Sequence, residues 1–158
     1  LNKFDGKRFE VFTSEQTNGI EGSQIRSAVK MRDGNLWFGT GNGLTHYDPN
    51  TEKFTTYNVK NEALSIEKIV EAKNNTIWLI TAKSVWSFDT KTKKFSPQTH
   101  HLGTSEPRSI FVSQQNIIYV VNDDAQVVAY NPATKSKICQ SGHRFTIIKL
   151  SPGIFSTQ

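Results

Sequence analysis

The chain repeats itself. Trp37, Trp78 and Tyr119 stand 41 residues apart, each at the same place in one of three alignable segments, residues 35–54, 76–95 and 117–138. Tyr47, Phe88 and Tyr130 keep that register with spacings of 41 and 42, and so do Asp48, Asp89 and Asn131. Several positions that hold one offset together mark a repeat architecture. Each unit is then one supersecondary element that buries its apolar face only against its neighbours.

Within a unit the periodicity is that of strands. Leu36 and Phe38, then Leu44 and His46, alternate with Trp37 and Gly39, then Thr45 and Tyr47, as residues on opposite faces of a sheet do. In the first complete unit four short strands are expected over residues 25–31, 36–40, 44–48 and 53–58. Turn residues lie between them: Asp33-Gly34-Asn35, Gly41-Asn42-Gly43 and Asp48-Pro49-Asn50-Thr51. The last turn recurs as Asp89-Thr90-Lys91-Thr92 and Asn131-Pro132-Ala133-Thr134. An Asp or Asn opening such a turn can accept hydrogen bonds from backbone N–H groups two residues on. No segment reads as a helix. Four strands in a unit of this length predict an all-β fold of β-propeller blades, each of four antiparallel strands.

The expected partition is the tail of a blade over residues 1–22, complete blades over 23–59, 64–99 and 106–140, and the start of another over 144–158. Phe4-Asp5 aligns with Tyr47-Asp48, and Phe9 and Phe12 align with Phe54 and Tyr57. The chain is therefore expected to open inside the third strand of a blade. Two arrangements accommodate three complete and two partial blades. The chain is a fragment of a larger propeller, or its ends pair to close a four-bladed ring. A fragment leaves strand edges that template pairing, so the rest of a parent protein or a second copy of the chain is an expected partner.

Composition narrows the class. Ten Phe, four Tyr and three Trp supply bulky core material, which excludes a disordered chain despite a hydrophobic fraction of 35%. No apolar run is long enough for a transmembrane helix, so no membrane insertion of this segment is expected. No basic-then-apolar signal stretch opens it, which suits a mature protein or a piece of one. Cys139 is the single cysteine, so no intrachain disulfide and no cysteine-based zinc site is expected. The net charge of +5 invites a nucleic-acid reading, but the charge is scattered. Its densest run, residues 91–94, sits among turn residues as a solvated hairpin tip, and no nucleic-acid partner is expected.

The stretch Asp33-Gly34-Asn35-Leu36-Trp37-Phe38-Gly39-Thr40, followed by Gly43-Leu44, Tyr47-Asp48, Phe54 and Tyr57, resembles the two-component regulator propeller repeat. The second unit keeps Trp78, Thr81, Phe88-Asp89 and Phe95 but loses both glycines and has Val85 for Leu44. The third has Tyr119 for the tryptophan and Asn131 for the aspartate. The resemblance implies part of the periplasmic sensor region of a hybrid two-component histidine kinase or related regulator. In that family an immunoglobulin-like linker, a membrane helix, a kinase core and often a DNA-binding output follow the propellers. It also implies an oligosaccharide as the signal. No kinase motif is visible here, so no catalysis by this chain is expected.

Candidate motifs divide between chemistry and packing. Gly39-Thr40-Gly41-Asn42-Gly43 lacks the spacing of a phosphate loop and precedes no helix; a hairpin turn needing positive φ is expected. Trp37, Trp78 and Tyr119 are expected to pack between blades rather than to stack on sugars. His46 is expected to be a satisfied structural histidine. His100 and His101 are adjacent, so on a strand they point to opposite faces and do not share one metal; they remain candidate ligand contacts. No metal site and no cofactor are expected.

In propellers ligands commonly sit over the channel, on the face built by the loops that enter each blade. Just inside those loops stand Arg26, Glu67 and Arg108, at intervals of 41 residues and alternating in sign. They are the candidate ligand-binding ring, able to hydrogen-bond sugar hydroxyls or carboxylates. Three function classes follow. The first is a sensor module that binds an oligosaccharide and relays a signal. The alternative is a protein-interaction scaffold, and the remotest is a propeller lyase or glycosidase, which needs acids converging on the channel.

Overall fold

The computed structural model describes residues 2–4, 6–11, 24–59, 64–98 and 105–141. Three four-stranded sheets dominate them. The first runs β3 (Ile25–Lys30), β4 (Leu36–Thr40), β5 (Gly43–Asp48), β6 (Lys53–Tyr57). The second runs β7 (Ile66–Ala72), β8 (Thr76–Thr81), β9 (Val85–Asp89), β10 (Lys94–Pro97). The third runs β11 (Pro107–Val112), β12 (Ile118–Asn122), β13 (Val127–Asn131), β14 (Ser136–Ser141). Strand order equals chain order and every pairing is antiparallel. These are propeller blades, and the fold is all-β. A separate hairpin pairs β1 (Asn2–Phe4) with β2 (Phe9–Val11), at the places that align with β5 and β6.

The turns follow from their side chains. Asp48 Oδ1 accepts the N–H of Asn50 at 2.9 Å, Asp89 Oδ1 that of Lys91 at 2.8 Å, and Asn131 Oδ1 that of Ala133 at 3.0 Å. Backbone N–H groups hold the Asp48 and Asp89 carboxyls below the usual carboxylate range, chiefly that of Asn50 for Asp48 and that of Thr92, 2.9 Å from Asp89 Oδ1, for Asp89. The residue before each fourth strand takes positive φ without being glycine: Glu52 (55°), Lys93 (58°) and Lys135 (53°). At the β4–β5 turn Gly43 takes φ 138°, and a Cβ there would meet Asn58 Oδ1 and the Tyr57 carbonyl. Thr40 Oγ1 donates to the Gly43 carbonyl, and the counterpart Thr81 does the same with Ser84.

Blades stack face to face. β7 lies against β3 on one side and β11 on the other. Trp37, Leu44, Ile66, Ile69, Leu79 and Phe88 form one core between the first and second blades. Trp78, Ile80, Val85, Ile110, Val120 and Tyr130 form another between the second and third. Trp37 and Trp78 are 1% and 3% exposed, so both are packing residues and neither offers a sugar-stacking face. Tyr119 instead stacks on Phe111 of its own sheet, with centroids 4.6 Å apart and planes inclined by 2°. Polar bonds stitch the first strands together: the Ile69 N–H donates to Ser27 Oγ at 3.1 Å, and Lys68 Nζ donates to Ser109 Oγ at 3.3 Å.

Candidate functional site

Each blade's first strand carries a β-bulge at one and the same repeat position. In the β3–β4 ladder Ile25 opposes Thr40 and Ser27 opposes Gly39, leaving Arg26 unmatched. In β7–β8, Ile66 opposes Thr81 and Lys68 opposes Ile80, leaving Glu67. In β11–β12, Pro107 opposes Asn122 and Ser109 opposes Val121, leaving Arg108. A bulge adds one residue to one strand, bends it and re-aims a side chain. The three charged residues singled out in the sequence are thus the three bulged residues of adjacent first strands. They lie at the entry ends of those strands, beside the turns joining second strands to third: the Gly41 N–H bonds the Gln24 carbonyl and the Asp123 N–H that of Glu106.

Two of the three meet. Arg26 Nη1 bonds Glu67 Oε1 and also donates to Ser65 Oγ at 2.9 Å. The pair is partly open to water, with side chains 33% and 40% exposed. Arg108 lies apart from it and pairs instead with Glu106 of its own blade at 3.3 Å, on a side chain 61% exposed. Glu106 is a residue that the sequence reading missed; it stands two places before the bulge, and no repeat signal marks it. Ser105 Oγ donates to Asp124 Oδ2 at 2.7 Å beside it. The rim therefore presents one salt-bridged pair, one exposed guanidinium with its own carboxylate, and hydroxyls. Such a surface suits hydrogen bonds to hydroxyl or carboxylate groups of a polar ligand. His100 and His101 lie outside the described residues. Among the described residues no group of three or more His, Cys, Asp or Glu side chains could hold a metal ion, and no helix is long and apolar enough to cross a membrane.

His46 is half-buried in β5. Its Nε2 lies 3.0 Å from Asn35 Oδ1, and its ring lies 4.6 Å from that of Trp37. Burial, then the nearby Lys93 ammonium, holds its pKa below the ordinary histidine value. It serves the junction between the first and second blades, away from the rim.

No protein-family model matches the chain, and no curated protein sequence matches it. Solved structures do. The extracellular domain of BT3049 from B. thetaiotaomicron, assigned to a hybrid two component system, is similar with a TM-score of 0.67 and 25% identity, over 89% of this chain and 19% of that one. The extracellular domain of BT4673 from the same organism, also assigned to a hybrid two component system, has a TM-score of 0.68 and 17% identity, over 84% of this chain and 18% of that one. Virginiamycin B lyase from Staphylococcus aureus is also similar, with a TM-score of 0.59 and 14% identity over 73% of this chain and 40% of that one. The chain spans under a fifth of the length of the two sensor-system domains. Its blades are similar to those of the extracellular domains of hybrid two-component systems, in line with the repeat read from residues 33–57.

Proposed function

We propose that this chain is part of the periplasmic sensor propeller of a two-component regulator or histidine kinase, and that its rim contributes to oligosaccharide sensing. The observation that carries the reading is the bulge series. Arg26, Glu67 and Arg108 occupy the same irregular position in three adjacent first strands. Bulges recur where a strand must aim a side chain at a site. The similarity to extracellular domains of hybrid two-component systems supports a sensor over an isolated scaffold. His100 and His101, which fall between the second and third repeats in the sequence, are the remaining proposed contacts. The chain itself does no chemistry in this reading; a bound saccharide changes the contacts between blades and the rest of the parent.

Calorimetric titration with a panel of neutral and acidic oligosaccharides tests it. Binding by the intact protein, weakened about tenfold in R26Q and R108Q with an unchanged unfolding midpoint, is expected for charge-assisted contacts. Binding that persists in R26Q, R108Q and H100A/H101A together would remove the rim from the site. Absence of any saccharide binding would leave the scaffold reading. A further partner, the rest of the parent or a second copy of the chain, is proposed at open blade edges, where unpaired strands template pairing. Light scattering across a concentration series separates those two partners.

A further inference from the structure

A second candidate site lies at the opposite ends of the strands. Between the second and third blades a cleft of about 420 Å3 opens beside the turns that join first strands to second and third strands to fourth. Lys73, Asn74, Ser87, Gln98, Asn116 and Lys135 line it, over a floor containing Trp78 and Tyr130. Among the described residues no aspartate or glutamate lines it.

The same place one repeat earlier, between the first and second blades, is filled by the protein itself. Lys93 Nζ sits 5.1 Å from the centre of the Trp37 ring and 5.2 Å from that of Tyr57. His46 lies against Trp37, and the carboxylates of Asp33 and Asp89 act on the Lys93 charge. Repeat alignment gives each of these a counterpart. Trp37 corresponds to Trp78, Phe88 to Tyr130 and Lys93 to Lys135, so the aromatic floor and the cation are kept. Tyr57 corresponds to Gln98 and His46 to Ser87, so two rings are lost. Asp33 corresponds to Asn74 and Asp89 to Asn131, so both carboxylates are lost. The second junction keeps the buried aromatic pair and the cation but lacks two rings and both carboxylates.

We propose that this cleft binds a small hydroxylated ring bearing a carboxylate, of the uronic acid class. Its carboxylate would pair with Lys135, and its ring would lie beside Ser87 and Gln98, above the closed aromatic pair. The choice of a sugar over an aromatic acid follows from the walls. Gln98 Nε2 donates to Ser87 Oγ at 2.9 Å, and Asn116 Oδ1 accepts the Lys73 N–H at 2.7 Å, so amides and a hydroxyl stand oriented around the space. Trp78 and Tyr130 are each only 3% exposed and offer no face for ring stacking. A cleft of a few hundred cubic ångströms takes a ligand of this size. The site is separate from the bulged rim, and the inference stands without the rim reading.

Calorimetric titration of the intact protein with glucuronate, glucose and benzoate decides it. Glucuronate should bind, with glucose and benzoate weaker by about tenfold, the scale of one charge-assisted contact. Asn74→Asp restores a carboxylate at the aligned position, in a backbone of positive φ (60°) that aspartate also adopts, so it should weaken glucuronate about fivefold without loss of fold. Lys135→Gln should do likewise. Three results would overturn the site: no heat with glucuronate, equal binding of glucose or benzoate, or an N74D protein that binds as tightly as the original. Binding lost in R26Q but kept in K135Q would place the carboxylate at the rim and also overturn it.

Discussion

Trp78 meets Tyr130 across the junction of the second and third blades, with ring centroids 5.6 Å apart and planes inclined by 54°. Trp37 meets Phe88 in the same way one repeat earlier, at 5.4 Å and 61°. The second-strand tryptophan of one blade thus packs on the third-strand aromatic of the next. Both partners are nearly fully buried. Phe88→Ala and Tyr130→Ala should each cost about 3–5 kcal/mol, the range for deleting a buried aromatic ring. Urea unfolding checks this, and a loss under about 1 kcal/mol in either variant would deny these pairs their place at the junction.

Gly39 is dictated by the neighbouring blade rather than by its backbone angle. A Cβ there would lie 2.7 Å from Ile66 Cγ2 and 3.3 Å from Ile69 Cγ2. The second repeat carries Ile80 at this place, where the third blade presents Pro107 in place of Ile66. Gly39→Ala should destabilise by about 1–3 kcal/mol through overpacking, read as a lowered thermal midpoint.

His46 gives the junction a pH dependence of defined sign. Its pKa in the folded protein is depressed below 6.5, by burial first and then by Lys93. Above pH 6.5 both folded and unfolded chains carry neutral imidazole, and the contribution is fully present. As pH falls below 6.5 the unfolded chain binds its proton first, so stability drops until the pH has passed the folded value. His46→Gln should remove that part of the slope. Chemical unfolding of both proteins at stepped pH measures it, and identical slopes would show that His46 does not titrate differently on folding.

The Arg26–Glu67 pair should matter little to stability. Both side chains are about a third exposed or more, and such pairs contribute at most about 1 kcal/mol. Glu67→Gln should leave the unfolding midpoint within about 3 °C while changing saccharide binding at the rim. A large stability loss without a binding change would make the pair a structural clamp.

The repeat, the four strands per unit and their turn chemistry were legible in the residues themselves. A 41-residue offset shared by Trp37, Trp78 and Tyr119 requires repeated units, and period-two alternation between turn residues requires strands. The capping by Asp48, Asp89 and Asn131 was legible because it acts over two residues. The positive φ of Glu52, Lys93 and Lys135 was not, because no glycine marks it. The charged triplet Arg26, Glu67 and Arg108 was visible as a pattern, but its bulges were not, since a bulge is a property of the pairing between two strands. Which charges meet was likewise decided in space: Arg26 reaches Glu67 across a blade boundary, while Arg108 turns to Glu106. The cleft between the second and third blades needed both. The sequence recorded that Gln98, Ser87 and Asn74 replace Tyr57, His46 and Asp33. Only the stacking of blades brought those separated positions around one space, because packing between units joins residues that local periodicity keeps apart.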